Sequence, residues 1–331
     1  MSLANLGLQF AGKALGWLGV FTLLLISILF LGAYIGLSSS WSTLIALVGW
    51  ATAFRLTSLQ RSAFIALAVA LLTAVGYLIH RPSNDRSWKP EVARLPQLEV
   101  ESNRLSITDL RDFRWNSKET FVERWANATY DISQLAGIDL VVVPFDDADL
   151  AAHVMLSFSF EDGRRLVVSV EGRLEIGETY SLMGGAARQL ELIYVFGTES
   201  DLIDLRIRHR GDRLYLFPLR LDPNFAKELL LELCQSTNQL NDQPKFYATL
   251  RNNCTTSLLR HVNRLREEPI GLSREILFPA RIGQLLHRLG YLDTNLDWPE
   301  AKQRFRVDDK IGETLDLDHY SRILRAAILE H

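Results

Sequence analysis

Residues 151–174 read AAHVMLSFSFEDGRRLVVSVEGRL. Two apolar, β-prone runs flank Glu161-Asp162-Gly163, which is the pattern of a β-hairpin. The tripeptide fits a type I turn followed by a glycine in the left-handed region, the three-residue loop that carries a bulge. Pairing Phe160 with Arg164 makes the numbers of facing residues sum to 324 and sets Glu171 opposite His153. A two-residue loop would slip the register by one and turn Glu171, together with Ser169, to the other face.

Working outward, IDLVVVPF (138–145), LIYVFG (192–197) and RLYLFPL (213–219) also read as strands. Helices follow. Residues 223–236 start at a proline and carry an apolar stripe through Phe225, Leu229, Leu230, Leu233 and Cys234, and a second helix opens near Asn253 in NCTTSLLRHVNRL. The last 60 residues read as charged helices broken at Pro279, Gly290 and Pro299. FRWNSKETFVERWANATYDISQL, from Phe113, reads as short helices at the domain edge, and residues 81–110, with three prolines, as a linker. Strands followed by helices predict an α+β domain over 111–331, with an antiparallel sheet and a single core.

Composition divides the chain. Of 331 residues, 48% are hydrophobic and 23% charged, with net charge −3. Residues 1–80 hold no Asp or Glu and three basic residues, Lys13, Arg55 and Arg61; the other 251 residues carry 33 Lys+Arg against 39 Asp+Glu, net −6. This excludes a disordered chain and a basic nucleic-acid binder. Two cysteines exclude a disulfide scaffold and a four-ligand zinc site, and with no nucleotide fingerprint we expect no metal and no cofactor.

The basic-only segment holds three apolar runs, 14–37, 38–54 and 62–79. The first is uncharged for 24 residues, enough to cross about 30 Å of hydrocarbon. The second, with its polar start, reads either as a span or as a re-entrant or interfacial segment. Three retained spans, with Lys13, Arg55 and Arg61 on the cytoplasmic side, send the large domain to the far side of the membrane. With only two, that domain would be cytoplasmic.

Cys254 follows Asn253, a good N-cap, so it falls in the first turn of its helix. There the helix dipole and free N–H groups favour a thiolate, the nucleophilic form. The alternative is a small buried thiol. Cys234 lies on an apolar helix face and reads as core, and a Cys234–Cys254 disulfide is the remaining possibility for an even count. A cysteine nucleophile needs a base. His261 is seven residues along the same helix, roughly 10 Å away. His153, interrupting an apolar strand, is the better candidate, with a satisfied core histidine as its alternative. Glu171 could orient it as the third member of a triad does. Arg206, Arg208, His209, Arg210 and Arg213 read as a solvated basic surface or a lipid-headgroup contact.

DFRW, FVERWANATYDISQL, HVMLSFSFEDGRRLVVSVEGR, QLELIYV and YATLRNNCTTSLLRHV together resemble the Lnb N-terminal periplasmic domain family, over about half the chain. The order of His before Cys is also similar to circularly permuted papain-like enzymes. The resemblance implies a papain-like domain behind three transmembrane helices, in the bacterial inner membrane with the C-terminal domain in the periplasm. It implies Cys254 as nucleophile, His153 as base and Glu171 as orienting group, with Arg188, Tyr194 and Asn253 lining the substrate cleft; for Arg188 and Tyr194 an exposed edge is the other reading. The implied reaction moves a fatty acyl chain from a phospholipid donor to an amine, such as a lipoprotein N-terminus or a peptide, through a Cys thioester. A thiol amidase or peptidase of the envelope and a non-catalytic binding module are the alternatives.

Overall fold

A computed structural model describes all residues except 1–2, 35–38, 57, 146, 250, 272, 313–315 and 330–331. The junction of the first two expected spans, at 35–38, lies outside the described residues. The chain divides into two units: residues 1–86, 174–191 and 246–249, and residues 87–173, 192–245 and 250–331.

The first unit contains α1 (Leu3–Tyr34), α2 (Ser39–Leu56), α3 (Leu59–Ile79) and the short α4 (Leu182–Ala186). Among the described residues, two segments, Ala11–Gly32 and Leu59–Ile79, are long and apolar enough to cross a membrane. This corrects the expectation of three such helices. α2 forms, but it opens with Ser39, Ser40, Trp41, Ser42 and Thr43 and carries Arg55 next to its end, which lowers its apolarity. Packing fixes the direction of each helix. A Cβ on Gly16 would lie 2.7 Å from the Leu59 side chain, and Phe30 meets the Tyr77 ring at 6.1 Å, so α1 and α3 run parallel. Trp17 meets Phe54 at 4.8 Å and Phe21 meets Trp50 at 5.4 Å, so α2 runs back along α1. The Trp50 indole N–H donates to the Trp17 carbonyl at 3.1 Å, satisfying a polar group that would otherwise be buried bare.

The second unit is built on a sheet of eight strands: β1 (Gln97–Glu101), β2 (Arg104–Arg111), β5 (Trp125–Asp131), β6 (Leu135–Pro144), β7 (Ala152–Phe160), β8 (Arg165–Arg173), β9 (Glu191–Gly197) and β10 (Tyr215–Pro218). A two-stranded ribbon, β3 (Arg114–Trp115) with β4 (Phe121–Val122), stands apart. The main order is β1-β2-β9-β8-β7-β6-β10, with β5 also on β2. β1–β2, β2–β5, β6–β7, β7–β8 and β6–β10 pair antiparallel, and β2 pairs parallel with β9. Around the sheet lie α5 (Glu199–Leu202), α6 (Pro223–Asp242), α7 (Cys254–Arg264), α8 (Arg274–Leu277), α9 (Ile282–Arg288), α10 (Trp298–Arg304) and α11 (Tyr320–Leu329).

The hairpin register is the predicted one: Met155 faces Ser169 and Ser159 faces Arg165. Gly163 takes φ +88°, where a side chain would strain the turn. Two readings were wrong locally. Residues 97–110, expected as linker, form β1 and most of β2, and the segment after Phe113 forms β3 to β5 rather than helices. The reason is pairing: β5 satisfies its backbone on β2, from Arg104 opposite Asp131 to Arg111 opposite Trp125. Phe113, Trp115 and Leu205 form a buried cluster with Phe121 and Trp125 around it, so the aromatics sit under strands.

Candidate functional site

α7 is held at its first turn by a reciprocal capping box. The Asn253 side chain accepts from the Thr256 N–H at 2.8 Å, and the Thr256 hydroxyl accepts from the Asn253 N–H at 3.1 Å. Cys254 is therefore the first helical residue, as the sequence predicts. Its Sγ lies 3.7 Å from the Ala152 carbonyl oxygen and 3.9 Å from the Thr255 hydroxyl, and the Val154 N–H also bonds to it. Both backbone groups come from the residues that flank His153. With 5% exposure, burial pushes the thiol up from its ordinary value, and the Val154 and Thr255 bonds offset only part of that. The expected lowering by the helix N-terminus is thus outweighed by desolvation.

Alternation along β7 turns Val154 and Leu156 toward α6 and α7, where they line an apolar cavity with Phe225, Leu229 and Leu258. His153 points to the opposite face. Its Nε2 is 2.7 Å from the Ser169 hydroxyl, which in turn donates to Glu171 Oε1 at 2.8 Å; the direct His153–Glu171 distance is 3.9 Å. The serine has one proton and gives it to the carboxylate, so it accepts from His153 Nε2–H. This leaves Nδ1 as the acceptor atom of a neutral ring. Burial, then Arg206, draws the imidazole down to about 3 against the pull of Glu171. Burial raises Glu171, but Arg111, then His153 and Arg206, and the Ser169 hydroxyl outweigh it and hold the carboxyl at about 2.

Residues 121–285 match the model of the Lnb N-terminal periplasmic domain family. This region belongs to that family. No curated protein and no solved structure matches the chain. The family assignment, with two helices long and apolar enough to span, describes a membrane-anchored chain with a periplasmic domain.

Within the Lnb N-terminal periplasmic domain, the structure brings Cys254 to the backbone on either side of His153 and ties His153 to Glu171, without a direct Cys254–His153 hydrogen bond. Ser169 is the residue sequence reasoning left out. Its signal is present, since it lies two residues before Glu171 on the same face of β8. Asn253 is committed to the cap. Tyr194, 3% exposed, belongs to a different cluster: its hydroxyl is 2.5 Å from His261 Nε2, and His261 Nδ1 is 3.1 Å from Glu232 Oε1. Arg188 lies in the other unit, where its guanidinium covers the Tyr77 ring at 4.0 Å and bonds the Tyr77 carbonyl at 3.0 Å. Arg206, read as solvated, is instead largely buried within the field of Glu171, and its environment lowers it to about 10, burial first and Arg210 next. Cys234 is core, as predicted, with burial raising its thiol to about 12, and both cysteines are free. Among the described residues there is no group of His, Cys, Asp and Glu that could hold a metal ion.

Proposed function

We propose that this chain is a membrane-anchored, thiol-dependent acyltransferase with a papain-like active site, moving an acyl chain from phospholipid to an amine at the periplasmic face of the bacterial inner membrane. The observation that carries this reading is the placement of Cys254 Sγ, in the first turn of α7, against both backbone neighbours of a histidine whose Nε2 is anchored through Ser169 to an ionised Glu171. That anchoring leaves Nδ1 as the ring's acceptor; because His153 points to the face of β7 away from the α7 cavity, the thiol proton reaches it only after substrate shifts the first turn of α7 or the ring. Catalytic hydrogen bonds of this kind often close only when substrate arrives.

In the first half-reaction the Sγ proton passes to His153 Nδ1 and sulfur bonds the ester carbonyl carbon. The carbonyl–oxygen bond of the ester breaks, and the lysophospholipid leaves as an alcohol with the proton from the imidazolium. In the second half, an amine such as a lipoprotein N-terminus bonds the thioester carbon, the carbon–sulfur bond breaks, and the amine's proton returns to the thiol by way of His153. The Cys254 backbone N–H is a natural donor to the oxyanion of both tetrahedral intermediates. Glu171, 3.9 Å from the ring, stabilises the transient imidazolium.

Membrane attachment keeps such a site beside its lipid. The parallel course of α1 and α3 supports three crossings, because two parallel spans require the chain to return between them, and α2 is the segment that runs back. Lys13, Arg55 and Arg61 then share the cytoplasmic end.

Intact-mass measurement of the purified chain, wild type against Cys254→Ser, before and after hydroxylamine, tests the chemistry. A hydroxylamine-labile acyl mass that requires Cys254 is the expected result; equal acylation of both chains overturns it. The buried, neutral thiol favours one competing reading, a non-catalytic envelope module, in which Cys254→Ala and His153→Ala would both leave the cellular phenotype intact. Peptide fragments released without an acyl adduct would point instead to a thiol amidase.

A further inference from the structure

α6, α7 and α9 close over one face of the sheet around a cavity of about 100 Å³. Val154 and Leu156 of β7, Thr255, Leu258 and Val262 of α7 and Leu285 of α9 are among its walls. Two of these residues, Val154 and Thr255, are, with Ala152, the ones that hold the Cys254 sulfur. Of the residues lining the cavity, Thr255, Arg266 and Tyr291 have polar side chains. The Thr255 hydroxyl turns to the sulfur, and Arg266 donates to the Tyr291 hydroxyl at 2.5 Å. The wall is therefore apolar, and although Cys254 is not itself a lining residue, the wall comes within one residue of its sulfur, through Val154 and Thr255.

The geometry points to this cavity as the pocket for the carbonyl-proximal methylenes of an acyl chain carried on Cys254, an inference that rests on the acyl-transfer reading. An apolar cavity of about 150 Å³ stays dry and takes a six-carbon ring, so about 100 Å³ takes about four carbons. A water there would lack the two to four polar partners it needs. Each buried methylene favours binding by about fourfold, and the gain ends once the cavity is full. The pocket thus selects an unbranched, apolar start to the chain and is indifferent to what lies beyond it.

The test uses the full-length chain with p-nitrophenyl acetate, butyrate and octanoate, each rate of Cys254 acylation divided by the rate with free cysteine. Sulfur bonds the acyl carbon and p-nitrophenolate leaves, so the released phenolate and the mass of the acyl adduct report the same event. Butyrate should exceed acetate by about 15-fold, with octanoate close to butyrate. Leu285→Trp, which fills the cavity, should bring the butyrate to acetate ratio near one, and Leu156→Ala, which enlarges it, should raise octanoate above butyrate. Cys254 acylated with the same ratios in all three chains overturns the pocket. A second arm needs no chemistry: hexanoate should raise the unfolding midpoint of the Cys254→Ser chain, and Leu285→Trp should remove that rise. No rise overturns the pocket; a rise in a protein whose wild type is never acylated keeps the pocket and overturns acyl transfer.

Discussion

The Cys254 sulfur rests 3.7 Å from the carbonyl oxygen of Ala152, the residue before His153 on β7. The nucleophile candidate is thus seated on the strand that carries its base, yet both groups are neutral and buried. The thiol is raised and the imidazole lowered by the same loss of water. Proton transfer between them is uphill in this state, and an arriving substrate must change their surroundings before the thiolate forms.

Ser169 is a positioning residue, since it acts through His153. Ser169→Ala should lower kcat for Cys254 acylation by about 10- to 100-fold with KM little changed, and Ser169→Thr should restore most of it. The same alanine leaves a buried imidazole N–H and a carboxylate oxygen without their shared partner, at a cost of about 1–3 kcal/mol. Steady-state kinetics with p-nitrophenyl butyrate and urea unfolding check both parts, and an alanine variant with wild-type kcat removes Ser169 from the mechanism.

Stability should fall on acidification below about 6.5. His153 takes its proton at about 6.5 when unfolded and only at about 3 when folded, so between these values the unfolded chain binds the extra proton and stability rises with pH. The slope is about 1.4 kcal/mol per pH unit for one proton. Glu171, held at about 2 against 4.5, adds stability that is present above 4.5 and lost as pH falls toward 2, in the same direction. Urea midpoints between pH 4 and 7 should vary less in His153→Gln than in wild type; equal slopes would count against a proton-free His153 in the folded state.

Asp201 gathers four donors: Arg111 Nε at 2.9 Å and Nη2 at 3.1 Å, the Phe113 N–H at 2.8 Å and the Trp115 indole at 2.8 Å. The Arg111–Asp201 pair is 3% and 0% exposed, so Asp201→Asn strands a buried guanidinium and should cost about 3–5 kcal/mol. Arg111 is also the first of the charges that hold Glu171 down. Chemical denaturation measures the loss, and a change under about 1 kcal/mol would mean that the guanidinium finds another partner.

Single cysteines at exposed Gln60 and Asp85 distinguish the membrane topologies, because both native cysteines are buried. With three crossings, an impermeant thiol reagent added to intact cells with a permeabilised outer membrane labels Asp85→Cys and spares Gln60→Cys. Labelling of both or of neither, or the reverse pattern, excludes the arrangement in which α2 returns across the membrane.

Much of this protein is legible in local pattern. The β-prone runs and Glu161-Asp162-Gly163 determine β7, β8 and their register, because a three-residue loop with glycine in the left-handed region fixes which residues face each other. Asn253 and the apolar stripe after it determine where α7 starts, since capping is a contact between residues three apart. The charge-free runs and the three early basic residues mark the membrane part for the same local reason.

What the sequence by itself determined is therefore the α+β division, the hairpin register, the position of Cys254 at a helix start and the family of residues 121–285. Tertiary structure alone decided the rest, because burial and long-range pairing have no local signature. The Cys254 thiol is raised rather than lowered because desolvation by the sheet exceeds the pull of the helix end. Residues 97–101, 104–111 and 125–131 become strands because β2 pairs with both β1 and β5 and so satisfies the backbone of each. Ser169 joins His153 to Glu171 because the pleat sets all three on one face, and α2 runs antiparallel to α1 and α3 because of the ring contacts between them.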